Sequence, residues 1–449
     1  MMTKEEKREK RKRDKGIVDF LMIQNHFFKE FKKWIEEMAD PRNPSYITYT
    51  QTDFIYLGIL KNVCSVDSMR QMEEKFNETT CAETLRWLSG NRKLKEVPHY
   101  DTLNYYLERL SPECLSELRK KMVTSLIRGK QFYSNRLLGK YWRVILDGTG
   151  VASFEERHCE NCLHETRVFK GGREVTSYHH KVLEAKLVLG DKIVISLGTE
   201  FIENEQADVS KQDCEIKAAK RLLERIKKEY PRLPMCIQGD ALYATEPMMK
   251  ICRLNGWKYI FTHKENYQRV LVEYYNVLTS EDGKRKIERI GTEKGTAVYC
   301  NGVGEIAQKT ETMNIYKYTC TKIIKQKEKT VHFQWITNIE LTGRNIEEMI
   351  RAGRGRWKIE NEGFNNQKNG IYNIHHLNSR NSNAMKNHYL LTQIADILMQ
   401  LYLAWNPIIK EIKQSIKNTS SRLLESFCQH TVTDEDVHYI LRYTTIYLE

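Results

Sequence analysis

The sequence predicts an α/β protein: a mixed-sheet core interrupted by a mostly β insertion, with a helical domain before it and helices after it. Three observations carry that expectation. Apolar residues recur at helical spacing from residue 17 to about 135. From residue 141 the grammar changes to short apolar runs bounded by turn signals, in the order strand-strand-strand-helix-strand-helix-strand. Between about 265 and 340 charged and β-prone residues alternate, and helical spacing then returns.

Residues 1–16, MMTKEEKREKRKRDKG, are expected to form a solvated, disordered basic arm, and they lack the apolar stretch of a secretory signal. Residues 17–138 read as a helical domain, with periodic segments such as IVDFLMIQNHFFKEFKKWIEEM; its place ahead of the core would suit DNA binding, although helical bundles of other purposes show the same pattern. Residues 139–264 form the first part of the core. There YWRVILDGTG reads as a strand ending at Asp147, and HKVLEAKLVL and KIVISLGTEFI as a hairpin on the two-residue turn Gly190-Asp191. VSKQDCEIKAAKRLLERIKKEYP reads as an amphipathic helix stopped before Pro231, and PMCIQGD as a buried strand ending at Asp240. Residues 265–340 are the β-rich insertion, 341–405 the final core helices and 406–449 a C-terminal helical region.

The first of those final helices opens at Asn345, with Glu348 as its capping-box partner, and Ile350, Trp357 and Phe364 mark a buried face at seven-residue spacing. Glu360 lies three residues after Trp357 and four before Phe364, so it projects beside that apolar stripe, with Arg356 one turn earlier.

With 72 Lys+Arg against 59 Asp+Glu, the 449-residue chain carries a formal charge of +13, which favours a polyanionic partner such as nucleic acid. No apolar run approaches the ~18 residues that span a membrane, since Leu390 to Trp405 is broken by Thr392, Gln393, Asp396 and Gln400. A cytoplasmic location is therefore expected. Eight basic residues and no acidic one lie between Arg119 and Arg143, so Arg119, Lys120, Lys121 and Arg128 are candidates for phosphate contacts. Eleven cysteines without an export signal suggest reduced, mostly buried thiols. Cys159 and Cys162, flanked by His158 and His164, form a Cys-x-x-Cys that could bind zinc or be a plain reduced loop. No second Cys-x-x-Cys follows, although His179 and His180 could supply ligands from a neighbouring strand.

Asp147, Asp240 and Glu360 fall at corresponding places in this topology: two at ends of adjacent strands, one on the helix after the insertion. Carboxylates gathered at such a crevice bind Mg²⁺ or Mn²⁺, and two ions ~3.5–4 Å apart can activate an attacking oxygen and stabilise a leaving one. Taken singly, each has a plainer role: a turn aspartate, or a glutamate in a surface pair with Arg356.

The segments LDGT, GDALYA and RGRWKIENEGF resemble the bacterial insertion-sequence transposases of the DDE type, over about residues 90 to 405. The resemblance implies an RNase H-like core with Asp147, Asp240 and Glu360 as catalytic ligands for two Mg²⁺ or Mn²⁺ ions. The family signature Tyr-x-x-Arg-x-x-x-Glu-x-x-x-x-x-x-Lys is met at Arg356 and Glu360, but its Tyr falls on Gly353 and its Lys on Gln367, with Lys368 one residue late. By the same resemblance Arg356 and Lys368 contact DNA phosphates. Trp335 either stacks a flipped base, as in some relatives, or packs in the core. The implied activity is metal-dependent cleavage and transfer of the strands at terminal inverted repeats. The implied partners are double-stranded DNA, as element ends and target, and a second copy in a homodimeric synaptic complex. A nuclease that cuts without joining, or an inactive DNA-binding relative, are the alternatives.

Overall fold

Val144, Ile145 and Leu146 alternate between two covered faces of strand β1 (Trp142–Phe154): Val144 and Leu146 join the main core, and Ile145 packs with Ile359 and Phe364 on the other side. The computed structural model describes residues 15–207, 209–264, 284–290, 293–303, 313–324 and 327–442, with residues 3, 5, 6 and 9. The expected basic arm lies almost wholly outside the described residues.

Around β1 the sheet is mixed. β3 (Glu174–Val188) lies antiparallel to β1 and pairs with both β2 (Leu163–Val168) and β4 (Val194–Ile202), also antiparallel. On the other side of β1, β5 (Met235–Gly239) and β6 (Lys258–Thr262) run parallel to it. The order β4-β3-β1-β5-β6 is the expected RNase H-like arrangement. Its parallel neighbours are reached through α8 (Glu215–Glu229) and α9 (Glu246–Leu254), as crossover connections require.

The insertion does not form a separate layer. Its last strand, β10 (Lys327–Thr337), pairs antiparallel with β6, Trp335 opposite Thr262, and β9 (Met313–Ile324), β8 (Glu293–Val303) and β7 (Lys284–Ile290) continue the same sheet outward.

Before the sheet come α1 (Ile17–Phe27), α2 (Phe31–Glu36), α3 (Gln51–Val63), α4 (Met69–Phe76), α5 (Thr79–Ser89), α6 (Tyr100–Arg109) and α7 (Pro112–Arg128). Thr50 and Asp53 close a reciprocal capping box at the start of α3. After the sheet come α10 (Ile346–Arg354), a π-helix (Ile359–Gly370), α11 (Ser382–Trp405), α12 (Pro407–Ile412), α13 (Ile416–Gln429) and α14 (Asp434–Leu441).

The N-terminal helices share one continuous core with α11 and the sheet, from Ile17 through Leu183 and Ile394 to Ile440, because α11 is buried along nearly its whole length. Its polar residues are bonded rather than solvated. Gln393 Oε1 accepts from Lys186 Nζ (2.6 Å), Asp396 Oδ2 accepts from Gln367 and Gln400 (both 2.9 Å), and Thr392 Oγ1 donates to Asn62 (3.0 Å). No helix among the described residues is long and apolar enough to cross a membrane.

Several local expectations are corrected. β1 does not end at Asp147 but runs on to Phe154, because β3 continues to pair with it through a bulge between Gly150 and Ala152. The hairpin connection spans 189–193, with the Leu189 and Gly190 amides both donating to the Ile193 carbonyl, so it is longer than two residues. β2 adds a hairpin that the sequence pattern did not announce.

The helix expected to carry Glu360 is broken after Arg354 and resumes as the π-helix. Across that change of pitch a seven-residue spacing no longer returns to one side. Ile350 and Phe364 are buried, but Trp357 is 55% exposed. Nor does the capping box at Asn345 form. The Asn345 side chain accepts from the Thr342 amide (2.9 Å), while Glu348 accepts from the Leu138 amide (2.6 Å).

Candidate functional site

Register brings the first two carboxylates together. β1 and β5 pair in parallel from Trp142↔Met235 to Ile145↔Gln238, and the same offset two residues further on matches Asp147 with Asp240. Both belong to the face of Ile145 and Gln238, since side chains alternate along a strand. Gln238 Nε2 donates to the Ala352 carbonyl of α10 (2.9 Å), and Ile145 packs on Ile359 and Phe364 of the π-helix, so this is the face that carries Glu360. β5 ends at Gly239, where Asp240 Oδ1 accepts from the Leu242 amide (2.8 Å). Asp147 therefore sits where β1 loses its parallel neighbour and a crevice opens.

Arg356 joins the set. Its Nη1 lies 3.0 Å from Glu360 Oε1 and 3.9 Å from Asp147 Oδ2, with the guanidinium largely buried and both carboxylates partly open to solvent. One guanidinium thus bridges the strand and the helix.

A fourth carboxylate, which the sequence reading missed, borders the site. Glu215 opens α8, and its Oε2 would stand 2.5 Å from a Cβ at Gly148, the residue after Asp147, so a side chain there would have to push the Glu215 carboxylate aside. The Tyr243 hydroxyl donates to Glu215 Oε1. A helix N-terminus favours a carboxylate, which made Glu215 look like an ordinary first-turn residue.

Negative charge accumulates accordingly. The Asp147 carboxyl is pushed up to about 7, first by burial; Glu215, Glu360 and Asp240 raise it further, and Arg356 opposes them. Glu215 is raised too, mainly by burial and then by Asp240, against the hydrogen bond from Tyr243. An all-oxygen donor set with more carboxylates than cations fits a hard divalent ion such as Mg²⁺ or Mn²⁺.

The remaining candidates divide. Trp335 is 3% exposed, stacked on Tyr316 and Phe333, and faces α10, so it packs in the core and is not open to a flipped base. A Cβ at Gly353 would lie 2.6 Å from the Trp335 ring, which explains why the Tyr of the signature has no counterpart here. Gln367, at the signature's Lys position, is fully buried and bonded to Gln393 and Asp396. Lys368 places its ammonium 5.8 Å from the Phe364 ring centre.

The basic run is only partly available. Arg119 is 3% exposed on the apolar side of α7 with Leu115, Leu118 and Met122, and it donates to Ser196 and Thr199, so it is a core cation and not a surface one. Lys120 pairs with Glu117 (2.9 Å) and Lys121 with Glu37 (3.1 Å), while Arg128 is exposed.

Cys159 and Cys162 lie in the loop between β1 and β2, near His158 and near His180 of β3. His164 and His179, the other histidines considered, are not in this group.

No curated protein matches the chain. Among solved structures it is similar to the piggyBac transposase in the cryo-EM structure of its synaptic complex with hairpin DNA. The identity is 11% and the TM-score 0.41, covering 95% of this chain and 82% of that one. The model of the transposase DDE domain matches residues 138–396, the stretch that contains Asp147, Asp240 and Glu360. The chain belongs to the transposase DDE-domain family.

Proposed function

We propose that the chain is an active DNA transposase that binds the terminal inverted repeats of its own element, cleaves at the ends and joins the freed 3′-hydroxyls to target DNA. The observation that supports this reading is the β1–β5 offset that matches Asp147 with Asp240, on the sheet face covered by the π-helix that bears Glu360, with the Arg356 guanidinium against Asp147 and Glu360. Two bound Mg²⁺ or Mn²⁺ ions would supply Lewis acidity at the scissile phosphodiester. Asp147, Asp240 and Glu360 would hold them, and the positive charge of a bound cation would favour the ionised form of the Asp147 carboxyl against the burial and neighbouring carboxylates that raise its pKa. Arg356, beside both Glu360 and Asp147, would offer its planar fork to a DNA phosphate. Exposed Trp357, with the Arg356 guanidinium 5.7 Å from its ring centre, offers an aromatic face to an extruded base in place of Trp335. Arg128 contributes to phosphate binding outside the catalytic crevice. Two element ends must be held together, so the working form is a homodimer on DNA.

The test is a cleavage and strand-transfer assay with duplex element ends and Mg²⁺ or Mn²⁺, comparing the native chain with Asp240→Asn. Cleaved and joined products from the native chain, lost in the variant while DNA binding is kept, support the proposal. Cleavage without joined product marks a nuclease instead, and DNA binding with no cleavage by the native chain marks an inactive relative.

A further inference from the structure

We infer that His158, Cys159, Cys162 and His180 form a structural zinc site, separate from the catalytic carboxylates. One ligand atom from each of the four lies within 4.8 Å of every other. The edges agree with a tetrahedron: Cys159 Sγ to Cys162 Sγ is 3.6 Å, and His180 Nε2 is 3.4 Å from each sulfur. With Zn–S of about 2.3 Å and Zn–N of about 2.0–2.1 Å, tetrahedral zinc puts sulfurs about 3.8 Å apart and sulfur and nitrogen about 3.6 Å apart. The cysteines are free thiols, and a bonded pair would bring the sulfurs to about 2 Å.

The donor set suits zinc rather than the ions of the catalytic crevice. Two thiolates neutralise a divalent ion, two imidazoles complete the shell without adding charge, and soft sulfur disfavours Mg²⁺. Cys162 and His180 are buried, and no fourth position is left for water, which describes a closed, structural centre.

The sequence left the set open because its ligands come from one loop and one distant strand, and spacing alone did not choose among His158, His164, His179 and His180. Cys-x-x-Cys and His158 sit in the loop after β1. His180 lies in β3 opposite Ala152 of β1, just past the bulge. The loop is also fastened to the exit of β4: Asn204 Nδ2 donates to the Cys162 carbonyl (3.0 Å), and Asn161 Nδ2 to the Asn204 carbonyl (2.9 Å). Zinc there clips the outer half of the β1–β3 pair, beyond Asp147, to the segment that leads into α8 and Glu215. The clip does what a second hydrophobic layer does elsewhere in the sheet, where this hairpin is too exposed to have one.

Metal analysis of the full chain, purified without a histidine tag, tests this. About one zinc per chain is expected, falling to a small fraction in Cys159→Ser and Cys162→Ser and unchanged in Asp240→Asn. Because a cysteine variant can fail to fold, the native chain is also exchanged with Co²⁺. A tetrahedral ligand-field spectrum with a thiolate-to-cobalt charge-transfer band is expected. Native protein isolated with far less than one zinc, or cobalt bound without the thiolate band, overturns the proposal.

Discussion

Nη1 of Arg356 lies 3.0 Å from Oε1 of Glu360, four residues later and across the point where α10 has ended and the π-helix begins. The same nitrogen is 3.9 Å from Asp147 Oδ2, so the guanidinium is the counter-charge that two carboxylates share without metal. Arg356→Gln should lower the melting temperature of metal-free protein at about pH 8 by a few degrees, and Mg²⁺ should recover part of the loss. Differential scanning calorimetry with and without Mg²⁺ measures this. A variant as stable as the native chain without metal would mean the carboxylates do not need Arg356.

Glu215 is the least expected member of the site. It is tied to Tyr243 and abuts Gly148, and it adds to the charge that raises Asp147. Removing that charge in Glu215→Gln weakens the attraction for divalent ions, so half-maximal cleavage should require roughly 10-fold more Mg²⁺. A Mg²⁺ titration of cleavage rate reads this out, and an unshifted midpoint would separate Glu215 from the metal function.

Gly353 carries a packing prediction. Its missing Cβ leaves room for the Trp335 ring, which is itself sandwiched against Tyr316 and Phe333 and has little freedom to move. Gly353→Ala should destabilise the fold by about 1–3 kcal/mol, and Gly353→Tyr, which restores the family residue, by more. In the double variant Gly353→Ala with Trp335→Leu, urea unfolding should show part of that loss recovered, since the two sites share one space.

His388 predicts an acid limit. Burial, and then the positive charge of Lys61, lowers its pKa to about 3, and its Nε2 lies 2.8 Å from Asn104 Oδ1. The folded state therefore takes up this proton less readily than the unfolded chain, whose histidine titrates near 6.5. The sign follows: stability from this group is full above about pH 6.5 and falls as the pH drops toward 3, by up to about 1.4 kcal/mol per pH step. His388→Gln should flatten the decline of melting temperature between about pH 6.5 and about pH 4.5. A slope identical to that of the native chain would assign the acid limit to other groups.

Much of the architecture could be read along the chain because it depends on local periodicity. The amphipathic run of α8, the buried runs of β5 and β6 and the long α11 each declare themselves within one segment. Asp147, Asp240 and Glu360 stood out for a related reason: each occupies a defined step of such a segment, and strand alternation puts the two aspartates on one face.

Tertiary structure decided what depends on neighbours distant in sequence. Whether Arg119 met DNA or the core was set by Ser196, Thr199 and Glu184 on other strands. Gly353 admits the Trp335 ring and so decides for core packing, while the helix break turns Trp357 outward from the face on which it was expected to be buried. Glu215 reached its cluster through a loop connection that leaves no trace in local spacing, and strand pairing chose His180 over its neighbour His179 for the cysteine loop. Periodicity fixes the face a side chain presents, but the groups on the opposing surface fix its charge, its burial and its ligands.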